Sequence, residues 1–165
     1  MLSLTAFVID DEESQRNILN DFLEDLGCEV KSFAKGEECL STLEEEYADV
    51  VVTDYKMPGM DGIKVLKEIK EINPEIQVII VTAYGTIENA VKAMKIGAWD
   101  YITKPIEMEE LEIKLKRIEE RINLVEENKR LKEEMDKLSP ETEIVYKSKE
   151  MEQVMDLVGR ISKRD

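Results

Sequence analysis

The sequence predicts an α/β fold: one five-stranded parallel sheet covered by helices on both faces. Three observations carry that reading. Apolar runs of strand length alternate with longer segments whose apolar residues recur at steps of three and four. The runs Asp49–Val50–Val51–Val52–Thr53–Asp54 and Ile76–Gln77–Val78–Ile79–Ile80–Val81 are nearly continuous in apolar residues, as strands buried on both faces are. Several runs end in a carboxylate, a hydroxyl or a lysine, at the strand ends where open α/β sheets bind ligands.

The elements follow in order. Leu4–Ile9 is a strand ending in Asp10 and Asp11. Glu12, Glu13 and Ser14 open a helix, suiting the positive end of its dipole. Its apolar positions are Ile18, Leu19, Phe22, Leu23 and Leu26, and Gly27 stops it. Cys28–Phe33 alternates and reads as a second strand. Gly36–Tyr47 is a helix with Cys39, Leu40 and Leu43 on one face. The third strand ends in Asp54, followed by a loop with Pro58, Gly59 and Gly62. Ile63, Leu66, Ile69 and Ile72 then mark a helix that stops at Asn73–Pro74. The fourth strand leads into Thr82–Ala83. Thr86–Ile96 is a helix expected to turn Ile87, Ala90, Val91 and Met94 inward, with Gly97 as its C-cap. Ala98–Thr103 is the last strand, ending in Lys104–Pro105, where a cis bond is expected to turn the lysine back over the strand ends.

Five strands, each followed by a helix, with right-handed crossovers, give the flavodoxin-like order 2-1-3-4-5. That order sets the ends of the first and third strands side by side, where Asp10, Asp11 and Asp54 must meet. Any one of these acids alone reads as a turn carboxylate. Together with Lys104 they read as a site.

A final helix runs from Ile106 to Ser139–Pro140. Leu111, Leu115, Ile118, Ile122 and Val125, then Leu131, Met135 and Leu138, recur at mostly heptad spacing, with a phase shift near Asn128. Residues up to about Ile118 are expected to cover the sheet. Beyond them no sheet remains, so a parallel dimeric coiled coil is expected, with a seam through Ile118, Ile122, Val125, Leu131, Met135 and Leu138. Met151, Val154, Met155, Val158 and Ile161 mark one more short helix.

Composition narrows function. The chain has 165 residues, a net charge of −15 and no histidine. Imidazole bases and His-based metal sites are excluded within it, and its acidity argues against direct nucleic-acid binding. No apolar run is long enough to span a membrane. Cys28 and Cys39 have no metal or framework spacing and read as reduced, half-buried fillers in a cytoplasmic protein.

Four separated pieces resemble the receiver domain of two-component response regulators: Val8–Ile9–Asp10–Asp11–Glu12, Val51 to Gly62, Val81–Thr82–Ala83 and Tyr101–Ile102–Thr103–Lys104–Pro105. The resemblance implies a CheY-like fold over residues 1–120, a coiled-coil linker over 121–139, and over 140–165 the start of an AAA+ segment of the NtrC type or a docking segment. Ile144–Val145–Tyr146 to Met151 resembles the opening of that segment, although Tyr146 stands where such activators commonly have Gly. No G-x-x-x-x-G-K motif occurs.

The resemblance implies Asp54 as phosphoacceptor and Mg²⁺ held by Asp10, Asp11, Asp54 and the backbone carbonyl of Lys56. Lys104 and Thr82 would bind phosphoryl oxygens, and a small Ala83 would leave a path for the donor. Thr82 and Tyr101 would form the switch, and Lys56 and Tyr84 would overhang the site and influence its lifetime. The implied output face is the Thr86–Ile96 helix, the Trp99–Tyr101 strand and the base of the last helix. The implied partners are a sensor histidine kinase, a second copy, and a downstream AAA+ domain acting on sigma-54 polymerase. The rivals are an Asp-nucleophile phosphohydrolase, which wants an Asp-x-Asp pair after the first strand, and a coiled-coil interaction protein with a vestigial pocket.

Overall fold

The computed structural model describes residues 1–138, 151–154 and 156. Its sheet comprises β1 (Thr5–Ile9), β2 (Glu29–Phe33), β3 (Val50–Asp54), β4 (Gln77–Thr82) and β5 (Asp100–Thr103), all parallel, in the order β2-β1-β3-β4-β5. The helices are α1 (Glu13–Asp25), α2 (Gly36–Leu43), α3 (Gly62–Ile72), α4 (Ile87–Ile96) and α5 (Met108–Leu138). Every residue of β3 and β4 is buried, because helices shield both faces of the central strands. Edge strand β2 is largely exposed, which is why it alternates in sequence.

The chain divides into two compact units, Met1–Arg121 and Ile122–Asp165. In the first, Phe7, Ile9, Val51, Leu66, Ile69, Val78 and Ile80 form the centre of the core. Leu111, Leu115 and Ile118 of α5 are fully buried there too. Ile118 is therefore a core residue of its own domain and is not available to the expected dimer seam.

Several other expectations are corrected. The inward residue of α4 is Ala93, with Ile96 beside the core. Ile87, Val91 and Met94 are 84%, 46% and 48% exposed. α4 turns Ala93 and Ile96 toward the core, and the apolar stripe of Ile87, Val91 and Met94 is left outside. Ile18 of α1 and Ile72 at the end of α3 are also exposed. α2 ends at Leu43, because the amides of Glu45 and Glu46 both turn back to the Thr42 carbonyl. Both cysteines are buried, Cys39 completely, and burial pushes the Cys39 thiol up to about 12.

Two caps follow their sequence signals. Gly97 adopts a left-handed conformation, φ +114°, at the end of α4. Thr86 opens the same helix, its hydroxyl accepting from the Asn89 amide at 3.2 Å. Of the expected terminal helix, Met151–Val154 is helical, whereas Met155, Val158 and Ile161 lie outside the described residues, as does Ile144–Tyr146.

Candidate functional site

β1 and β3 are neighbours, and both lead their carboxylates out of the same end of the sheet. Ligand oxygens of Asp10, Asp11 and Asp54 all lie within 4.8 Å of one another. Asp10 is buried, Asp54 is only 8% exposed, and Asp11 faces solvent.

The Lys104 ammonium reaches back across the strand ends. It stands 3.0 Å from Asp10 Oδ2 and 3.2 Å from Asp54 Oδ1. Its backbone amide donates to the Thr82 carbonyl at 2.7 Å, and the Lys104–Pro105 bond is cis. Burial alone pulls the lysine's pKa down, but the two carboxylates outweigh it and hold the ammonium above its ordinary value.

Asp54 shows the opposite balance. Burial pushes its pKa up, Lys104 pulls it back, and the charges of Asp10 and Asp11 raise it again. Lysine alone leaves the cluster short of positive charge. A divalent cation among the three acids would complete the neutralisation, and an all-oxygen donor set favours a hard ion.

Thr82 is buried at the end of β4, one position past the residue paired with Asp54. Its hydroxyl accepts from the Tyr84 amide at 3.0 Å. Tyr101 on β5 packs partly against the core, and its hydroxyl reaches the Tyr84 carbonyl at 3.5 Å. Lys56 and Tyr84, from different loops, meet: the ammonium lies 5.1 Å from the ring centre. Ala83 is exposed.

Three contributors escaped the sequence reading. Arg16 of α1 donates to the Asp10 carbonyl at 2.7 Å, and the Glu12 amide donates to Asp10 Oδ1 at 2.9 Å. These bonds fix the backbone and one oxygen of the most buried acid. Gly62 packs on the strand end, where a Cβ would stand 2.5 Å from the Asp54 carbonyl oxygen and 3.0 Å from Tyr55 Cα. Only Asp61–Gly62, a capping acid followed by glycine, hinted at that approach; Asp61 caps α3 through the Lys64 amide at 2.8 Å. No local pattern marks Arg16.

The response regulator receiver domain family matches residues 6–116. The transcriptional regulatory protein ZraR of Escherichia coli (strain K12) is 40% identical over 114 residues, 69% of this chain and 26% of that protein. The DNA-binding transcriptional regulator NtrC of Klebsiella pneumoniae is 33% identical over 158 residues, 96% of this chain and 33% of that protein. The chain thus spans between a quarter and a third of the length of these curated relatives. Among solved structures, a response regulator receiver domain protein from Clostridium thermocellum is 38% identical with a TM-score of 0.71, covering 75% of this chain and 99% of that one. The beryllofluoride-activated NtrC4 receiver domain dimer is 33% identical with a TM-score of 0.68, covering 71% and 97%. With the sheet order, the acid cluster and the matched span in agreement, this chain belongs to the response regulator receiver domain family.

Proposed function

We propose that this receiver takes a phosphoryl group on Asp54 and passes the change to a regulator of the NtrC type. The observation that carries the reading is three carboxylates from two adjacent strands within 4.8 Å, with Lys104 bonded to two of them. Phosphoryl transfer needs little covalent work from a protein beyond positioning and charge neutralisation.

In this reading Asp10, Asp11, Asp54 and the Lys56 carbonyl hold Mg²⁺, which supplies charge neutralisation for the acids and the incoming group. An Asp54 oxygen forms a bond to phosphorus while the bond to the donor breaks. The donor, a histidine kinase's phosphoimidazole or a small acyl phosphate, leaves with the electron pair. Lys104 exchanges its ion pair with Asp54 for a phosphoryl oxygen. The Thr82 hydroxyl gives up the Tyr84 amide to reach another, and Tyr101 moves into the space left. Lys56 and Tyr84, stacked above the strand ends, restrict water and so set the lifetime. The protein acts as a switch and performs no steady turnover.

The wider reading is a cytoplasmic transcription regulator. Residues 1–120 form the receiver, 121–139 a dimerising linker, and 140–165 the beginning of an AAA+ segment that acts on sigma-54 polymerase. Its similarity to NtrC over 96% of this chain, well past the receiver, supports that arrangement. Phosphorylation would alter how two copies assemble and thereby control the ATPase.

The test is incubation with Mg²⁺ and acetyl phosphate, read by intact mass and sedimentation. One phosphoryl group per chain is expected, absent in Asp54→Asn and without Mg²⁺. Continuous release of phosphate in large excess over protein, with no labelled species, would replace this reading with a phosphohydrolase.

A further inference from the structure

Two of the three clustered acids, Asp10 and Asp11, sit in the short turn between β1 and α1. Ordinary capping chemistry does not hold that turn. Glu12, the N-cap residue of α1, makes no side-chain cap bond, and glutamate lacks the short reach of the preferred capping residues. Asp10 takes over instead. Its Oδ1 accepts from the Glu12 amide at 2.9 Å, and its carbonyl accepts from Arg16 Nη1 at 2.7 Å. Its amide donates to the Phe33 carbonyl of β2 at 3.2 Å, and the Arg16 amide donates to the Glu12 carbonyl at 3.1 Å. The turn is thereby tied to the sheet on one side and to the first turn of α1 on the other.

Asp11 lies inside this tied segment. Its carboxylate faces solvent, and no hydrogen bond or ion pair from a described residue holds it. The backbone of residues 10–12 therefore sets its aim. Arg16 is half-buried and grips that backbone. It takes the carbonyl of Asp10 and forms no ion pair with a described carboxylate. A charged donor on a carbonyl keeps the strength of a charge-assisted bond and leaves the acids' negative charge for a cation. Lys104 differs, since it pairs with Asp10 and Asp54 directly and competes with a cation for them.

We infer that Arg16 is a positioning residue that makes the acid cluster select a small divalent cation over a larger one. The inference rests on the proposed Mg²⁺ site and names what sets that site's stiffness. Mg²⁺ demands near-ideal octahedral geometry at about 2.0–2.1 Å, whereas Ca²⁺ accepts irregular geometry at about 2.3–2.6 Å. A tied turn keeps Asp11 within 4.8 Å of Asp54. A loosened turn lets the acids spread, which costs the small ion more than the large one.

Calorimetric melting of the intact chain in rising MgCl₂ or CaCl₂, at constant ionic strength, tests this. A cation that binds only the native state raises the melting temperature by mass action and so reports its own affinity. The wild type should bind both ions and prefer Mg²⁺. Arg16→Ala should weaken Mg²⁺ about tenfold or more and Ca²⁺ by no more than about threefold. Arg16→Lys, which keeps a charged donor, should recover most of the preference. If Arg16→Ala does not fold, Arg16→Gln keeps part of the stem, falls short of the carbonyl and carries the same expectation. Ile69→Val, a core change in the last turn of α3, should lower the melting temperature and leave the ratio of affinities unmoved. A wild type insensitive to both ions would remove the metal site itself. A wild type without preference, an equal loss or no loss for both ions in Arg16→Ala, or no recovery in Arg16→Lys would keep the metal site and overturn the role of Arg16.

Discussion

Asp54 is held in a position that costs the free protein stability. Burial and two neighbouring acids push its pKa up, and Lys104 offsets them only in part. For a carboxylate raised on folding, the native state binds more protons than the unfolded chain between the ordinary and the raised value. Stability therefore falls as pH climbs through that interval, and the penalty is fully present above it. Asp54→Asn removes the ionisation. Without divalent cations it should raise the melting temperature at neutral pH, with the advantage shrinking as pH drops into the carboxylate range; a calorimetric pH series checks the sign. Mg²⁺ should stabilise the wild type and do little for the variant, because binding to the native state alone stabilises by mass action. The same balance explains why one lysine cannot make the cluster inert. It keeps the acids together while leaving negative charge for a cation.

At the scale of elements, the junction of β3 with α3 places Asp54, the proposed acceptor. Asp61 caps α3, and Gly62 lets its first turn sit against the Asp54 carbonyl. Gly62→Ala drives a methyl into backbone at 2.5 Å, which has no rotamer to escape through. It should cost about 1–3 kcal/mol and slow labelling of Asp54 by acetyl phosphate. Chemical denaturation and a labelling time course measure the two effects. α4 differs in kind: it buries Ala93 and leaves Ile87, Val91 and Met94 outside. A helix held by so few large core residues is a natural moving part, and Thr86, its N-cap, lies four residues beyond Thr82.

For the whole molecule, the proposed switch requires that a charge at Asp54 be felt in assembly. Thr82, Tyr84 and Tyr101 form a chain of contacts from the strand ends to β5: hydroxyl to amide at 3.0 Å, then carbonyl to phenol at 3.5 Å. A phosphoryl group that claims the Thr82 hydroxyl breaks the first link. Thr82→Ala should still accept phosphate, since Asp54 and Lys104 remain, but its dimer equilibrium should no longer respond. Mass and sedimentation on the same labelled sample separate these outcomes. A normal response would refute the coupling.

The order of strands and helices, the three acids, Lys104 and the glycine cap at Gly97 were legible in the sequence. Local pattern decides each: an apolar run sets a strand, its end sets where a side chain emerges, and the parallel topology sets which ends are neighbours. Tertiary structure alone decided which face of α4 meets the sheet, that Arg16 steadies Asp10, that Gly62 touches Asp54, and that Ile118 belongs to the receiver core. Periodicity says which residues share a side of a helix. Which side is buried depends on the space its neighbours leave, and that space is shaped by residues far away in the chain.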